Sequence, residues 1–281
     1  MRKINRLCIG LISSILLFSC SSAPKVPPEI VVTRNEGGRL VQLGAKALRE
    51  GAQDAARDYY TEAYRLFTLV DEPEGRIRAL DGLSRFAPNG EELRAQAERI
   101  AQESGKDDLV ALASLLTAEY DLHSTDKALV EKAAEIAFRG ANVLSKRPMD
   151  KARALRIYAS ALKTLGRYPE ALKVLDEAAG IDKGKRAYIE YASDKYLSAS
   201  IYSKTDRYPE AWTNLWEALD YDRRAENAGG IGADYLAMAL VSEKQGNRED
   251  AKKFLQRSLD VYTAARMKAQ IEDIQNRLKN Y

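Results

Sequence analysis

The stretch LGRYPEAL at residues 165–172 decides the fold, because related stretches follow it at a fixed interval. TDRYPEAW occupies residues 205–212 and QGNREDAK occupies residues 245–252, so each begins 40 residues after the one before it. The likeness continues downstream with a leucine and then a small residue, in the pairs Leu175 and Ala178, Leu215 and Ala218, and Leu255 and Ser258. Fixed-period similarity of this length predicts stacked supersecondary units of one kind.

The composition around these stretches predicts that the units are helical. From about Arg39 onward the chain is rich in Ala, Leu, Glu, Lys and Arg, runs of β-branched residues are scarce, and Gly and Pro fall mainly between segments. This pattern is typical of helices joined by short turns. The Tyr-Pro pairs fit the first turn of a helix, where the missing N–H of proline leaves no hydrogen bond unmade. The predicted fold class is therefore all-α.

Small residues recur at a second fixed spacing inside each unit. Three alanines each stand twelve residues before a second alanine, in the pairs Ala159 and Ala171, Ala199 and Ala211, and Ala239 and Ala251. Packed helices approach to about 8–10 Å, and a large side chain at the crossing would push them apart. We expect these six alanines to pack where the helices of the repeats cross.

With these features the units resemble tetratricopeptide repeats (TPRs). In that family a small residue stands at the centre of helix A, a turn containing Gly or Asp follows, and an aromatic residue precedes the Glu-Ala that opens helix B. The resemblance implies a TPR-like α-solenoid of about five to six helix pairs with a C-terminal capping helix. The 40-residue step is longer than the 34 residues usual in the family, so longer helices or turns are expected.

The remaining sequence predicts further units on the amino-terminal side. An earlier unit shows the small-residue and aromatic pattern over residues 39–70, with Gly51 at its turn. Two more helix pairs are predicted over segments 73–86, 90–104, 108–122 and 126–144, in a register that the sequence does not fix. The last helix, over residues 264–281, is polar on most of its surface and resembles a solvating cap.

The first 20 residues indicate export and a lipid anchor. Basic residues precede an apolar run over residues 7–18, which is shorter than the roughly 20 residues that span a bilayer. The run ends in LFSC at residues 17–20, which resembles the lipobox of bacterial lipoproteins, although Phe18 departs from the strict pattern. The resemblance implies lipidation of Cys20 and a place in the bacterial envelope, at the outer membrane facing the periplasm. The alternative is an ordinary signal peptide with a chance cysteine.

The chain therefore divides into three predicted segments. Residues 1–19 form the signal peptide, residues 20–35 carry the lipidated cysteine and a proline-rich tether, and residues 36–281 form the helical repeat domain. The tether begins with SSAPKVPP at residues 21–28, and prolines of this density favour an extended, semi-rigid spacer.

Charge and residue usage argue against several classes of function. The formal net charge is +3, and the three basic residues of the signal peptide account for it, so nucleic-acid binding has no electrostatic basis. The two cysteines are Cys8 in the signal peptide and Cys20, and His123 is the single histidine, so neither a transition-metal site nor a cofactor is predicted. His123 precedes Ser124 and Asp126 at the end of a predicted helix, and we interpret it as a helix-terminal residue rather than part of a catalytic triad.

The resemblance to TPRs implies a partner-binding groove on the concave face, which helix A lines in that family. Counted from the small-residue positions, the groove comprises Arg153, Arg156, Ser160, Lys163, Tyr196, Ser200, Ser203, Lys204 and Lys244. This basic, hydroxyl-bearing set could bind acidic side chains or a C-terminal carboxylate. The alternative is a solvated helix face whose charges aid solubility. Arg156 and Ser160 depart from the carboxylate clamp of chaperone-binding members, so that ligand is not supported.

Three other features carry expectations about the interior. The aromatic residues over 188–221 are expected to fill the core, with Tyr196 or Trp216 as surface anchors. The stretch GGIG at residues 229–232 is expected to be a flexible connector, and its match to a phosphate loop is weak. The Asp and Glu residues are expected on exposed helix faces, with no carboxylate pair whose environment separates their pKa values.

These observations favour a non-catalytic protein. The first hypothesis is a lipid-anchored envelope scaffold that binds a partner protein through the concave face of the array. The second is an accessory subunit of a solute-uptake system. A closed array with an internal pore or an apolar cavity would favour the second hypothesis, and an open charged groove would favour the first.

Overall fold

The computed structural model describes residues 29–281, so the predicted signal peptide and the predicted lipidation site Cys20 lie outside the described residues. Over residues 29–281 the chain forms thirteen α-helices, with a single 3-10 turn, Leu144–Lys146, between the sixth and seventh, and contains no strand. The helices are α1 (Glu29–Arg49), α2 (Gln53–Leu69), α3 (Pro73–Ser84), α4 (Gly90–Ser104), α5 (Asp107–Asp121), α6 (Lys127–Val143), α7 (Pro148–Thr164), α8 (Tyr168–Lys185), α9 (Tyr188–Lys204), α10 (Tyr208–Arg224), α11 (Ala228–Lys244), α12 (Arg248–Ala264) and α13 (Lys268–Leu278).

Consecutive helices pack as six pairs, from α1 with α2 to α11 with α12, and α13 packs on α12 as a cap. The sequence-based prediction of a TPR-like solenoid of five to six pairs with a C-terminal capping helix is confirmed. The helices α3 to α6 fall within two residues of the bounds that the sequence predicted, even though the repeat register is irregular there.

The turns repeat with the same 40-residue step as the sequence. The turn inside each of the last three pairs has a left-handed residue at equivalent positions, namely Gly166, Asp206 and Gly246, with φ of 78°, 56° and 76°. The next N–H then donates back to the end of the preceding helix, as in Arg167 N to Leu162 O at 2.8 Å. This is the bond that ends a helix in a Schellman motif, and glycine adopts the required conformation without strain.

The six alanines of the twelve-residue spacing lie in the interior. Each is at most 1% exposed, and all but Ala251 belong to the apolar clusters that join successive helices. Leu175, Leu215 and Leu255, one from each of the three repeats, are likewise buried beside them. The core is therefore a continuous series of small inter-helix clusters instead of one central core, as expected for a solenoid.

The odd-numbered helices form the inner layer of the curved array. Each odd-numbered helix from α1 to α9 packs against the next odd-numbered helix, and no two even-numbered helices within residues 29–281 pack comparably. An ion pair of 2.9 Å between Arg78 and Asp150 even joins α3 to α7 across α5. The curvature also brings the two ends of the array together, because the carbonyl oxygen of Arg49 in α1 lies 3.3 Å from where a Cβ on Gly229 would be.

Two sequence-based boundaries are corrected by the structure. Residues 29–35, which the sequence assigned to the tether, are the first turns of α1. The GGIG stretch at residues 229–232 is not a connector but the first turn of α11. Its glycines are needed for close packing: a Cβ on Gly232 would lie 2.4 Å from the ring of Tyr262, and one on Gly230 would lie 2.1 Å from the carboxylate of Asp222.

Candidate binding groove

Arg153, predicted to face a partner, is engaged inside the protein. Its guanidinium donates to Asp81 of α3 and Glu119 of α5, each at 2.6 Å, and Arg85 adds a second pair with Glu119 at 2.9 Å. Burial opposes ionisation of Asp81, but Arg153 and Arg85 outweigh it and hold the pKa of Asp81 below its ordinary value. Two arginines and two carboxylates therefore neutralise each other and tie three inner helices together.

Arg156, the next predicted groove residue, is likewise held by two aspartates. Its Nε donates to Asp194 at 2.6 Å, its Nη2 contacts Asp182, and both carboxylates are fully buried. Burial raises the pKa of Asp182 to about 7, with Arg156 opposing the shift and Asp194 adding to it. The expectation that acidic residues lie only on exposed faces, with no carboxylate pair set apart, is wrong.

A second buried carboxylate pair stands one repeat further on. Asp222 and Asp234 follow Asp182 and Asp194 by 40 residues, and they are 5% and 1% exposed. Within residues 29–281 neither carboxylate has an ion pair, and Asp222 accepts a hydrogen bond of 2.8 Å from Asn227. Burial and the neighbouring Asp222 raise the pKa of Asp234 to about 9, and burial raises that of Asp222 to about 6. The pair therefore shares a proton at neutral pH.

The three predicted groove lysines differ from the arginines. Lys163, Lys204 and Lys244 stand near the carboxyl ends of α7, α9 and α11, one in each successive inner helix. None of them forms an ion pair with a carboxylate in the part of the chain that the structure describes. The ammonium of Lys244 donates to the carbonyl oxygen of Ser203 at 2.8 Å. Burial, with Lys204 adding to it, lowers the pKa of Lys163, so like charges are held close together along this stripe.

The remaining predicted groove residues lie around this stripe. Ser160 and Ser200 are half-buried and Ser203 is buried. Tyr196 and Trp216, predicted as anchors among the aromatic residues, are 37% and 46% exposed. The other aromatic residues of that run are more buried. Several of them pack on another ring, as Tyr191 does on Tyr221 with centroids 4.4 Å apart.

Two neighbouring cavities open beside the arginine networks. One, of about 520 Å³, lies between the α3–α4 turn and the end of α5, and its walls include Arg85, Arg94 and His123. A smaller one, of about 200 Å³, shares Glu119 and His123 with it and extends to Arg153, Arg156 and Ser160. Sequence reasoning missed Arg94, because an arginine inside a predicted helix B carries no signal of its partners.

The residues beside His123 have capping roles. The hydroxyl of Ser124 accepts a hydrogen bond of 3.0 Å from the backbone N–H of Asp126, and the Asp126 carboxylate accepts one of 2.9 Å from Ala128 at the start of α6. Ser124 and Asp126 thus satisfy a helix terminus in the way that N-cap residues do. Over residues 29–281 no cluster of three potential metal ligands occurs. None of the thirteen helices is both long and apolar enough to cross a membrane.

The architecture is similar to that of solved helical-repeat structures. A Rap protein complexed with Competence and Sporulation Factor aligns with 89% of this chain and 70% of its own, at 16% identity and a TM-score of 0.63. The apo form of RapI aligns over 89% and 87%, at 15% identity and a TM-score of 0.57. The fold is that of a TPR-like solenoid. These identities establish the fold alone. No family model matches the chain. No curated protein matches it either.

Proposed function

We propose that this protein is a lipid-anchored envelope adaptor whose inner helix layer binds an acidic segment of a partner protein. The observation that carries the proposal is the contrast between two kinds of cation. Arg153 is neutralised by half-buried carboxylates and Arg156 by buried ones, whereas the lysine stripe, consisting of Lys163, Lys204 and Lys244, has no carboxylate partner among the described residues. The arginines hold the scaffold together and the lysines are available to a ligand.

The spacing of the stripe suits an extended segment. Each lysine belongs to the next inner helix, and neighbouring inner helices contact one another. A segment running across α7, α9 and α11 would meet one ammonium group per repeat, with Ser200 and Tyr196 beside it. Exposed ion pairs contribute about 0.2–1 kcal/mol each, so three together would change affinity by roughly tenfold.

The solved neighbours support partner binding by this architecture in general. One of them was crystallised as a complex of a Rap protein with Competence and Sporulation Factor. Binding to a separate molecule is therefore compatible with an array of this fold. The proposed non-catalytic role follows from the same architecture, in which the charged clusters tie helices together and Ser124 and Asp126 cap a helix.

The lysine stripe is tested with an acidic probe peptide, acetyl-(Glu)8 carrying a fluorophore, in a binding titration at low and moderate salt. Replacing the three stripe lysines by glutamine is expected to weaken binding about tenfold or more. The matched control replaces Lys132, Lys173 and Lys252, which are exposed on even-numbered helices, and removes the same charge from the outer layer. Equal weakening by both triple variants would mean that net charge, and not the stripe, binds the peptide.

The anchor is tested by Cys20→Ser in the cells that make the protein. We expect the wild type to fractionate with membranes and incorporate labelled fatty acid, and the variant to lose both properties. Several acyl chains on one cysteine hold a protein firmly, since each buried CH₂ contributes about 0.8 kcal/mol. Unchanged fractionation and labelling of the variant would contradict the lipid anchor without affecting the groove.

A second candidate is an accessory subunit of a solute-uptake system. The meeting of α1 with the start of α11, at Arg49 and Gly229, favours it because the array closes on itself. The charged walls of the two neighbouring cavities, which include Arg85, Arg153 and Glu119, favour the adaptor. Copurification of a substrate-binding protein through a crosslinker placed at Ser200 would favour the uptake role.

A further inference from the structure

We propose that the cavity beside Arg94 binds a monocarboxylate with an apolar body, either a small free acid or the carboxyl end of a peptide. This site differs from the lysine stripe: it lies between the α3–α4 turn and the end of α5, and Arg94 comes from an even-numbered helix. The inference does not depend on the adaptor function, because it concerns residues outside the lysine stripe.

Arg94 is a buried cation without an anionic partner. Only 6% of the residue is exposed, and its guanidinium makes neither an ion pair nor a hydrogen bond to another residue within 29–281. Two of the carboxylates that line the cavity, Asp81 and Glu119, are bound by Arg85 and Arg153. The third, Glu91, is exposed to solvent and forms no ion pair with Arg94. Burying an unpaired charge is costly, so a buried guanidinium that lines a cavity points to an anionic ligand.

The orientation of Arg94 suits a planar anion. Its guanidinium lies over the ring of Tyr120, with Cζ 3.8 Å from the ring centroid. A guanidinium stacked in this way uses its face and leaves the N–H groups at its edge free for a bidentate contact. Gly90 provides the room, because a Cβ there would lie 3.2 Å from Nη1 of Arg94 and 2.6 Å from the carbonyl oxygen of Ser84.

The charge balance of the cavity favours a carboxylate over a phosphate. In the network of Asp81, Glu119, Arg85 and Arg153, two positive and two negative charges cancel. Of the other charged residues that line the cavity, Glu91 is exposed to solvent and Arg94 is buried, so Arg94 is the buried charge that one carboxylate would neutralise. A phosphate dianion would bring a second negative charge towards Asp81 and Glu119, where no further cation is available to it.

The remaining walls suit the carbon body of such an acid. Phe86, Pro88 and Leu116 also line the cavity. Its volume of about 520 Å³ lies within the roughly 300–1,000 Å³ typical of small-molecule sites. An aryl or short alkyl acid could therefore place its carboxylate at Arg94 and its apolar part against Phe86 and Leu116.

The single histidine of the chain provides a local probe. His123 lines the cavity, so carbon-13 labelling of histidine in the mature chain carrying Cys20→Ser, without a histidine tag, gives ring signals from this wall alone. We expect 3-phenylpropionate to shift these signals saturably and 3-phenylpropanamide to leave them unchanged. Inorganic phosphate and chloride at the same ionic strength are expected to produce no saturable shift.

Variants assign the effect to Arg94. Arg94→Met, which keeps the side-chain volume, is expected to weaken 3-phenylpropionate binding at least tenfold. Arg99→Met, on an exposed part of the same helix, and the glutamine triple variant of the lysine stripe are expected to bind as the wild type does. Binding unchanged by Arg94→Met, or equal binding of acid and amide, would overturn the proposal. Should Arg94→Met melt at a lower temperature, the comparison of acid with amide on the wild type still decides.

A further titration separates the two sources of the carboxylate. Acetyl-alanyl-phenylalanine with a free carboxyl end is compared with its C-terminal amide and with 3-phenylpropionate. Tighter binding of the free peptide than of the small acid assigns the site to a peptide end, and the reverse order assigns it to a free acid. Failure of both carboxylates to shift the His123 signals would refute the site.

Discussion

Tyr196 occupies in α9 the repeat position that Arg156 occupies in α7, 40 residues earlier. This difference between arginine and tyrosine changes the electrostatics of a buried arrangement that the two repeats share. Both repeats bury a pair of aspartates at equivalent positions, Asp182 with Asp194 and Asp222 with Asp234, but only the first pair has a guanidinium between its members. The second pair can lower its charge only by holding a proton.

The stability of the fold should therefore depend on the protonation of Asp234. Its pKa is raised to about 9, and that of Asp222 to about 6, mainly by burial, whereas an unfolded aspartate titrates near 3.9. A carboxyl group with a raised folded-state pKa stabilises the fold fully below the unfolded pKa, and this contribution is lost as pH rises through the folded pKa. We expect the melting temperature to fall between pH 5 and pH 9. Asp234→Asn, which keeps the shape and stays neutral, should flatten this decline.

The control for this prediction is Asp176→Asn, because Asp176 is exposed on α8. That variant should retain the wild-type dependence on pH. Both variants keep the two neighbours that face the pair. The charge of Arg223 opposes the rise in the pKa of Asp234, and Asn227 donates a hydrogen bond to Asp222. An Asp234→Asn protein that declines with pH as steeply as the wild type would show that the pair does not control stability.

Arg156 should contribute strongly to the stability of the fold, although the sequence predicted it as a partner-binding residue of the groove. Arg156→Met leaves two fully buried aspartates without their cation, and breaking a buried ion pair by removing one partner costs about 3–5 kcal/mol. Arg207→Met removes a guanidinium that pairs with Glu210 on an exposed helix start, where about 0–1 kcal/mol is expected. Urea unfolding at pH 7 measures both values. Similar losses for the two variants would contradict the structural role of Arg156.

The sequence predicted the helices and their pairing because these depend on patterns that are local or strictly periodic. The six helix pairs follow from helical composition, from turn residues such as Gly166 and Gly246, and from the 40-residue step. The GGIG stretch at residues 229–232 was misjudged because glycine marks turns in general. Here tertiary packing requires it instead, since Tyr262 leaves no room for a Cβ at Gly232.

The site was only partly predictable, since its determining contacts join distant residues. The partner of Arg153 in α3, Asp81, stands 72 residues away, in a part of the chain where the repeat register is irregular. The sequence did show that Asp182 and Asp222, and likewise Asp194 and Asp234, stand 40 residues apart at equivalent repeat positions. They were assigned to exposed faces because charged residues in amphipathic helices usually lie there, and only the packing of α8 to α11 shows that they are buried.

Replacing two helical glycines by alanine should change the stability of the protein in opposite directions. Gly232→Ala places a methyl group 2.4 Å from the buried ring of Tyr262, and overpacking of this kind costs about 1–3 kcal/mol. Gly180→Ala, in α8, meets no atom within 4 Å and should stabilise by about 0.5–1 kcal/mol, because alanine is the better helix former. Thermal melting of both variants measures the difference. Stabilisation by Gly232→Ala would mean that α11 and α12 do not pack as closely as the structure shows.

The alanine positions at the helix crossings can be tested through Ala211, which is fully buried at the start of α10 beside Leu215 and Tyr235. Ala211→Glu adds both volume and a charge where no cation pairs with it, and each of these effects costs one to several kcal/mol. We expect the melting temperature to fall by ten degrees or more, or the α9–α12 region to unfold. Thr213→Glu, two residues later on the exposed face, introduces the same side chain and should change the melting temperature little. A melting temperature of Ala211→Glu close to that of Thr213→Glu would contradict the repeat register, because the 40-residue alignment is what places Ala211 in the interior.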